Sequence, residues 1–139
     1  METTFSIIKP DAVASGKAGK VLAHLEGAGF KVKALRMTRL SRSQAEGFYA
    51  VHKERPFFAS LVKFMTEGPV ILMALERGDA VKGLREVMGA TNPVNAAEGT
   101  IRKLYAESIE RNAIHGSDAP ETAAQELAYF FNSIELRQL

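Results

Sequence analysis

Apolar and polar positions change period several times along the first part of the chain, and each change predicts a new element. Residues 3–9 are rich in β-branched and aromatic side chains and stop at Pro10, which predicts a strand with a lysine at its carboxyl end. Residues 16–28 then show apolar positions at helical spacing, and residues 30–40 return to strand character. The predicted order up to this point is β-α-β.

The next segment predicts two helical pieces. A capping-box pattern from Ser43 to Glu46 opens a helix that is expected to run to about His52. A second helical piece spans residues 57–66, where apolar side chains recur on one face before a Gly-Pro pair interrupts them. We interpret these pieces as a helical insertion between two strands.

The following segment predicts a buried strand, a helix and a long loop. Residues 70–75 are uninterruptedly apolar, which predicts a strand in the middle of a sheet that is covered on at least one face. Asp79 is expected to cap a helix that continues to about Met88. Residues 89–112 lose the apolar period, with one helical turn expected at residues 100–105. A long irregular segment in a compact domain is usually functional or disordered, and function is favoured by the surrounding arginines Arg85, Arg102 and Arg111.

The final helix completes the predicted fold. It covers about residues 121–131, and the side chains expected to face the core are Ala124, Leu127, Ala128 and Phe131. The full order reads as βαβ, a helical insertion, βα, a loop, a strand and a last helix. This order is close to a doubled βαβ arrangement with helices on one face of an antiparallel sheet, an α+β fold. We expect one domain over residues 1–139.

Composition and charge mainly exclude certain kinds of site, location and partner. The 139 residues are 46% hydrophobic and contain no cysteine, so disulfides, thiolate metal sites and cysteine nucleophiles are excluded, and a cytoplasmic location is the default. The first residues lack the basic and apolar regions of a secretory signal, and no apolar run reaches the length of a membrane span, so neither export nor insertion is expected. A net charge of +2 is too small to argue for nucleic-acid binding by itself.

The strongest candidate chemistry lies in residues 111–118, which read Arg-Asn-Ala-Ile-His-Gly-Ser-Asp. A histidine at the end of a short strand can serve as a nucleophile if one ring nitrogen is held, and Ser117, Asp118 or a carboxylate on the next helix could hold it. The alternative is a solvated loop histidine beside a helix start, because Ser117 or Asp118 followed by Pro120 is a good N-cap sequence.

Other patterns are weaker. Residues 16–21 resemble part of a phosphate-binding P-loop but lack its first glycine and its final Ser or Thr, and residues 27–29 are better explained as a helix C-cap than as a dinucleotide fingerprint. His24 and His52 lie too far from the third histidine in sequence to form a local metal cluster. A run of basic residues leaves nucleic-acid binding open, although such a run is usually a solvated strand face: Lys31, Lys33, Arg36, Arg39 and Arg42.

Six stretches, in one order, resemble the nucleoside diphosphate kinase family. They are Ile8-Lys9-Pro10-Asp11, Phe48-Tyr49 with Arg55-Pro56-Phe57-Phe58, Gly68-Pro69-Val70, Gly89-Ala90-Thr91-Asn92-Pro93, Gly99-Thr100-Ile101-Arg102, and Arg111-Asn112 with His115-Gly116-Ser117-Asp118. The resemblance covers residues 4–131, and six motifs in order are highly specific. It implies a ferredoxin-like βαββαβ sandwich in which helices pack on an antiparallel sheet. It also implies transfer of the γ-phosphate of a nucleoside triphosphate to a nucleoside diphosphate through a phosphohistidine.

The resemblance also implies roles for individual residues. His115 would be the phosphorylated nucleophile, Glu126 would fix its ring with Ser117 close by, and Lys9 would join this catalytic set. The implied phosphate and ribose contacts are Lys9, Tyr49, Arg85, Thr91, Arg102 and Asn112. The implied base contacts are Phe57, Leu61 and Ile109. No protein residue is implied as a metal ligand, because Mg²⁺ would bind mainly through the nucleotide phosphates.

The resemblance implies nucleoside di- and triphosphates as substrates and a homo-oligomer, either a tetramer or a hexamer built from dimers. The sequence stops at Leu139, without the longer C-terminal tail that contributes to subunit contacts in many family members, so both assemblies stay open. Neither a membrane nor a nucleic acid is expected as a partner. The competing interpretation is a non-catalytic ferredoxin-like nucleotide-binding module, which would keep Phe57 and the arginines but would not need His115 with Glu126.

Overall fold

The computed structural model describes residues 1–137, and its strands form a four-stranded sheet. The strands are β1 (Glu2–Ile8), β2 (Lys31–Thr38), β3 (Val70–Arg77) and β4 (Ile114–Gly116). They lie in the order β2-β3-β1-β4, and every neighbouring pair is antiparallel. The α+β, ferredoxin-like prediction is therefore confirmed, with β1 and β3 in the middle of the sheet.

Helices connect these strands and cover the sheet. They are α1 (Pro10–Ala14), α2 (Ala18–Gly27), α3 (Arg42–Phe48), α4 (Phe58–Met65), α5 (Ala80–Met88), α6 (Ile101–Tyr105) and α7 (Pro120–Phe130). Two short 3₁₀ turns lie at Ala50–His52 and Pro93–Asn95. The short helix α1 was not predicted. None of the helices in residues 1–137 combines the length and the apolar character that a membrane crossing requires.

Helices pack on both faces of the sheet, so the prediction of one covered face is wrong. The side chains of β3 alternate between two cores, with Ile71, Met73 and Leu75 in the first and Val70, Leu72 and Ala74 in the second. Leu25 on α2 and Leu84 on α5 close the first core, whereas Met65 on α4 and Leu127 on α7 close the second. An uninterrupted apolar strand needs cover on both sides, because successive side chains point to opposite faces.

The capping box of α3 begins two residues earlier than predicted. The Ser41 hydroxyl accepts a hydrogen bond from the Gln44 backbone N–H at 3.1 Å, and the Gln44 side chain accepts one from the Ser41 N–H at 2.9 Å. Two overlapping patterns of the same type occur in this stretch, one starting at Ser41 and one at Ser43. Glu46, the acceptor of the predicted box, instead forms a salt bridge with Arg42.

The start of α5 also differs from the prediction. Asp79 occupies the N-cap position, but its carboxylate pairs with Arg77 at 2.9 Å and makes no capping hydrogen bond. The Val81 N–H in the first turn donates instead to the carboxylate of Glu2 on β1, at 2.8 Å. A partner almost eighty positions away in sequence therefore satisfies this helix end, which local pattern reading does not detect.

The buried face of α7 is rotated relative to the prediction. Leu127 and Phe131 are buried as expected, but Ala123 is buried with them, while Ala124 and Ala128 are exposed. The buried side chains therefore recur every four residues, as one stripe of a helix does. Alanine contributes little to the apolar pattern of a sequence, so the pattern did not determine which alanines belong to that stripe.

Candidate active site

A cleft of about 500 Å³ brings together most of the residues that the sequence singled out. Its walls come from the end of β1, from α3 and the 3₁₀ turn after it, from α4 and α5, and from β4 and α7. Ten of the predicted site residues line it: Lys9, Tyr49, Phe57, Leu61, Arg85, Thr91, Arg102, Asn112, His115 and Glu126.

The imidazole of His115 is held from one side. Its Nε2 atom lies 2.8 Å from Oε1 of Glu126, and the hydroxyl of Ser117 donates to the same oxygen at 2.8 Å. The backbone around His115 is fixed as well, because the hydroxyl of Ser6 donates to the His115 carbonyl at 2.8 Å. A carboxylate only accepts hydrogen bonds, so in the neutral form of the ring this contact assigns the proton to Nε2 and leaves the lone pair on Nδ1. Nδ1 has no hydrogen-bond partner within residues 1–137.

The loop-histidine interpretation requires Ser117 or Asp118 to cap the following helix, and neither residue does so. Ser117 is fully buried, does not line the cleft and supports Glu126, while Asp118 pairs with Arg85 at 2.7 Å. The N-cap position of α7 is Ala119, whose backbone N–H donates to the hydroxyl of Thr122 at 3.0 Å. The polar residues after the histidine therefore serve the cleft and not the helix end.

Two aromatic rings lie close to the imidazole of His115. The ring of Phe48 lies 5.4 Å from that of His115 between centroids, at an interplanar angle of 78°, and the ring of Phe5 lies at 6.1 Å. Phe48 belongs to one of the six family motifs, but the contact of its side chain with His115 was not predicted. Tyr49 next to it is buried, which raises the pKa of its phenol, and its hydroxyl has no partner within the described part of the chain.

Lys9 lies at the point where β1 ends and α1 begins. Its amine donates to Oδ1 of Asn112 at 2.7 Å, and the side chain is almost completely buried. Burial, together with the nearby charge of Arg102, lowers the pKa of Lys9 from 10.5 to about 8. The amine is therefore a cation that the fold destabilises, and an anion in the cleft would restore its preference for the charged form.

Arg102 ties the loop after α5 to the strand of the histidine. Its guanidinium donates to the Gly89 carbonyl at 3.1 Å and to the Ile114 carbonyl at 2.8 Å. Burial and the charge of Arg85 lower the pKa of Arg102 to about 10. Its Nε atom is buried and has no partner in residues 1–137. The side chain therefore combines a structural role with an unsatisfied donor group at the cleft.

Two further predicted contacts lie on the loop side of the cleft. Arg85 on α5 is half-exposed, and its guanidinium faces the carboxylate of Asp118. Thr91 is exposed, and its carbonyl accepts a hydrogen bond from the side-chain amide of Asn112 at 3.4 Å. Asn112 therefore bridges the loop and Lys9.

The apolar side chains of Phe57 and Leu61 form one part of the cleft wall. Phe57, the residue before α4, is 45% exposed, and Leu61 lies half-buried one turn further along. The ring of His52 lies 5.5 Å from that of Phe57 between centroids. His52 is half-buried and lines this cleft, a position that its spacing in the sequence did not indicate.

Ile109 is the one predicted nucleotide contact that does not line the cleft. Its side chain is 59% exposed, on the loop between α6 and β4. The neighbouring Glu110 accepts a hydrogen bond from the hydroxyl of Ser60 on α4 at 2.9 Å, which brings this loop alongside the helix that follows Phe57. A contact between Ile109 and a base therefore stays a prediction.

The cleft does not offer a dedicated metal site. No group of three or more His, Cys, Asp or Glu side chains in residues 1–137 could hold a metal ion. The carboxylates that line the cleft are Asp118 and Glu126, and each is already engaged by other side chains. The other polar walls are cationic or hydrogen-bond donors, which suits a phosphate chain better than a bare cation.

The basic run on β2 and beyond is partly paired within the fold. Lys33 is buried against Glu76, the guanidinium of Arg36 pairs with Glu135, and that of Arg39 donates to the Thr66 carbonyl. Arg42 is paired as described above. Salt bridges within the fold therefore engage three of the five basic side chains, those of Lys33, Arg36 and Arg42.

Comparison with known proteins gives a consistent result. The family profile described as "Nucleoside diphosphate kinase" matches residues 2–136. A protein named nucleoside diphosphate kinase from Nitratidesulfovibrio vulgaris is 62% identical to this chain over 136 residues, which cover 98% of each protein. A protein of the same name from Trichlorobacter lovleyi is 59% identical over 98% of this chain and 99% of its own length.

Solved structures agree with these sequence relatives. The crystal structure of the Aquifex aeolicus nucleoside diphosphate kinase superposes with a TM-score of 0.94 at 44% identity, over 96% of this chain and 97% of that one. The nucleoside diphosphate kinase of Halobacterium salinarum, solved in complex with CDP, gives a TM-score of 0.95 at 40% identity, over 99% and 92% of the two chains.

Proposed function

Because the chain belongs to the nucleoside diphosphate kinase family, we propose that His115 is the residue that carries the phosphoryl group between its substrates. The chain is an enzyme that transfers the γ-phosphate of a nucleoside triphosphate to a nucleoside diphosphate, by the ping-pong mechanism through a phosphohistidine that is general to the family. The observation that carries the assignment is the contact between Nε2 of His115 and Glu126, since it leaves Nδ1 as a nucleophile within the cleft.

The proposed step is a displacement at phosphorus. The lone pair of His115 Nδ1 forms a bond to the γ-phosphorus, and the bond from that phosphorus to the bridging oxygen breaks, so that the nucleoside diphosphate leaves with the electron pair. A terminal oxygen of the acceptor diphosphate then attacks the phosphorus, and the pair of the P–N bond returns to Nδ1. Glu126 stabilises the positive charge that the ring carries while it is phosphorylated, and Ser117 keeps Glu126 in place.

The phosphate chain is proposed to lie against the cationic wall. Lys9, Arg85 and Arg102 supply positive charge. The hydroxyl of Tyr49 and Nε of Arg102 are buried without a partner in residues 1–137, and a phosphate oxygen would provide one, which supports this placement. Asn112 and Thr91 complete the proposed phosphate and ribose contacts. Phosphoryl transfer depends mainly on positioning and on neutralisation of charge, which such a wall provides.

The base is proposed to stack on Phe57, with Leu61 and Ile109 beside it. Phe57 is 45% exposed and lines the cleft, which supports this assignment. Every nucleobase has a π-face, so stacking accepts all of them, and this agrees with the broad base specificity of the enzyme.

The metal is proposed to enter with the substrate. Kinases of this family need a divalent metal, and we infer that it is Mg²⁺ bound to the phosphates of the nucleotide. The engaged state of Asp118 and Glu126 supports this, since Mg²⁺ often binds through substrate phosphates and water instead of a cage of protein ligands. When bound, the ion neutralises part of the phosphate charge.

Assembly and location are also proposals. We infer a homo-oligomer, a tetramer or a hexamer built from dimers, and the edge position of β2 with its exposed Leu35 and Met37 supports contact between subunits. A cytoplasmic location is supported by the absence of cysteine from the sequence. The family match over residues 2–136 supports one domain across residues 1–139. Light scattering after size-exclusion chromatography measures the assembly.

The decisive test is the first half-reaction. The protein is incubated with Mg²⁺ and γ-labelled ATP without an acceptor, and label stable in alkali but lost in acid is expected, because a phosphohistidine has that stability. Added GDP should remove the label as GTP. His115→Ala should carry no label and keep its fold, whereas His24→Ala on α2 should be labelled like the unaltered protein. Full labelling of the His115 variant would refute the assignment.

A further inference from the structure

The residues just before His115 form a strained turn. The Ile114 N–H donates to the carbonyl of Asn112 at 2.9 Å, and Ala113 between them has a φ of 75°. A hydrogen bond across two residues with a positive φ at the centre is the rarer form of the γ-turn. Ala113 is the only residue other than glycine with a positive φ in residues 1–137. A side chain with a Cβ atom disfavours this conformation, so surrounding contacts must maintain it.

Both polar groups of Ala113 are held by one short segment at the end of β1. The Ala113 N–H donates to Oδ2 of Asp11 at 3.0 Å, and its carbonyl accepts from the backbone N–H of Lys9 at 2.8 Å. Asp11 is only 2% exposed, and its second oxygen, Oδ1, has no partner in the part of the chain that the structure describes. Burying a carboxylate oxygen without a hydrogen-bond partner costs free energy, so this arrangement lowers the stability of the fold.

The same turn connects the two sides of the cleft. Asn112 at its start bonds to the amine of Lys9, the carbonyl of Ile114 at its end accepts from Arg102, and His115 follows directly. A change of φ at Ala113 to the ordinary negative range would reorient the peptide groups on both sides of it. Asn112 and His115 would then move relative to each other, and displacements of about 1 Å at a reacting group can lower a rate roughly a hundredfold.

We propose that Asp11 is a positioning residue for phosphoryl transfer, whose carboxylate locks the γ-turn at Ala113 and so fixes His115 relative to Asn112. Asp11 does not line the cleft, and its carboxylate bonds to the backbone of Ala113, while its charge also raises the pKa of the nearby Lys9. This inference rests on the proposed role of His115. It predicts that the need for Asp11 disappears when residue 113 tolerates a positive φ without help, as glycine does.

The test is a cycle of four proteins: the unaltered chain, Asp11→Ala, Ala113→Gly and the double variant. Each is mixed rapidly with Mg²⁺ and γ-labelled ATP, and the rate constant and amplitude of histidine phosphorylation are measured in a single turnover. The amplitude counts the folded, competent molecules, while the rate constant reports the position of His115. Asp11→Ala should lower the rate constant roughly tenfold to a hundredfold, the range expected from a misplaced reacting group. Ala113→Gly and the double variant should both stay within about threefold of the unaltered chain, because Gly lacks the Cβ penalty.

Two further variants serve as controls. Asp11→Asn keeps an oxygen acceptor for the Ala113 N–H and should retain most of the rate, which separates the hydrogen bond from the charge. Asp79→Ala removes an exposed carboxylate that pairs with Arg77 away from the cleft, and it should leave the rate constant unchanged.

The outcomes are distinct. A normal rate constant in Asp11→Ala with a reduced amplitude or melting temperature would mean that Asp11 acts on stability alone, and the proposal would fail. It would also fail if the double variant stayed as slow as Asp11→Ala, or if Asp11→Asn were equally slow. If Asp11→Ala does not fold, the double variant decides: a rate near that of Ala113→Gly supports the lock, and a slow or unfolded protein overturns it. Absence of phosphohistidine in the unaltered chain would instead refute the proposed function.

Discussion

Glu126 and His115 meet from two different elements, α7 and β4, and the 2.8 Å contact between Oε1 and Nε2 determines which ring nitrogen faces the cleft. Ser117 donates to the same carboxylate oxygen, so the acceptor is itself oriented. The arrangement fixes the tautomer and the angle of the imidazole before any substrate binds. The orientation of the His115 ring therefore depends on the packing of α7 against β1 and β4.

Replacing Glu126 by Gln should slow histidine phosphorylation while leaving nucleotide affinity almost unchanged. The amide keeps the shape but loses the charge that stabilises a positive imidazole, and loss of the partner that orients a histidine ring typically reduces activity roughly tenfold to a hundredfold. Single-turnover labelling and equilibrium nucleotide binding measure the two effects. Glu121→Gln, in the exposed first turn of the same helix, is the matched control and should behave like the unaltered protein. Equal loss in both variants would contradict the role of Glu126.

Nucleotide binding should take up protons near pH 8. In the nucleotide-free protein the pKa of Lys9 is lowered to about 8, and a bound phosphate should raise it again. The affinity for nucleotide should therefore fall as pH rises through 8. Calorimetry in buffers of different ionisation enthalpy measures the uptake. Lys9→Met should lose this pH-dependent step, whereas Lys82→Met, which alters an exposed lysine on α5, should keep it. A pH-independent affinity from 7 to 9.5 in the unaltered protein would rule the coupling out.

The same shift has the opposite effect on the free protein. In the unfolded chain Lys9 regains its ordinary pKa of 10.5, so between about pH 8 and 10.5 the unfolded state binds more protons than the folded state. The contribution of Lys9 to the free energy of unfolding therefore increases with pH across this window. Denaturant unfolding of the nucleotide-free protein at pH 7.5 and 9.5 measures this effect. Between these two pH values, the free energy of unfolding should increase less in Lys9→Met than in the unaltered chain, or not at all.

Phe57→Ala should mainly raise the KM for nucleotides. The ring lies at the open end of the cleft, away from the reacting atoms, and stacking on an aromatic side chain is worth roughly 1–3 kcal/mol per base. Phe57→Tyr keeps an aromatic face and should stay close to the unaltered protein. Steady-state kinetics with several donor nucleotides separate KM from kcat, and a large fall in kcat with constant KM would show that Phe57 is not a stacking platform.

Gly89→Ala should destabilise the fold and impair transfer together. Gly89 has a φ of +85°, and an added Cβ would lie 2.5 Å from the hydroxyl of Thr100. Its ψ of 179° places it in a region that is essentially restricted to glycine, which costs about 1–3 kcal/mol for a residue with a Cβ, and the steric overlap adds to this cost. Because the Gly89 carbonyl also holds Arg102, the rate should fall as well. Thermal unfolding with single-turnover labelling checks both effects.

Gly27→Ala provides the comparison for this variant. Gly27 is the last residue of α2, its φ is not in the positive range, and nothing lies within 4 Å of an added Cβ. Alanine is a better helix residue than glycine by roughly 0.5–1 kcal/mol, so this change should be neutral or stabilising. Similar destabilisation by both substitutions would mean that the conformation of Gly89 is not the cause.

The sequence by itself determined the strands, most of the helices and the residue types of the site. An uninterrupted apolar run placed the core strand near residues 70–75, and the order of the motifs identified the fold and singled out His115. These properties depend on patterns within short stretches of chain, so reading along the sequence can recover them. The cap at Ser41 was missed because two overlapping patterns competed within the same few residues.

Only the tertiary structure decided the chemistry of the individual groups. The amine of Lys9 meets Asn112 across 103 positions of sequence, and the carboxylate of Asp11 meets Ala113 across 102. Such contacts determine the burial that lowers the pKa of Lys9 and maintain the positive φ of Ala113. Burial, proton affinity and backbone strain depend on neighbours that come from every part of the chain, and a linear pattern contains no measure of those distances.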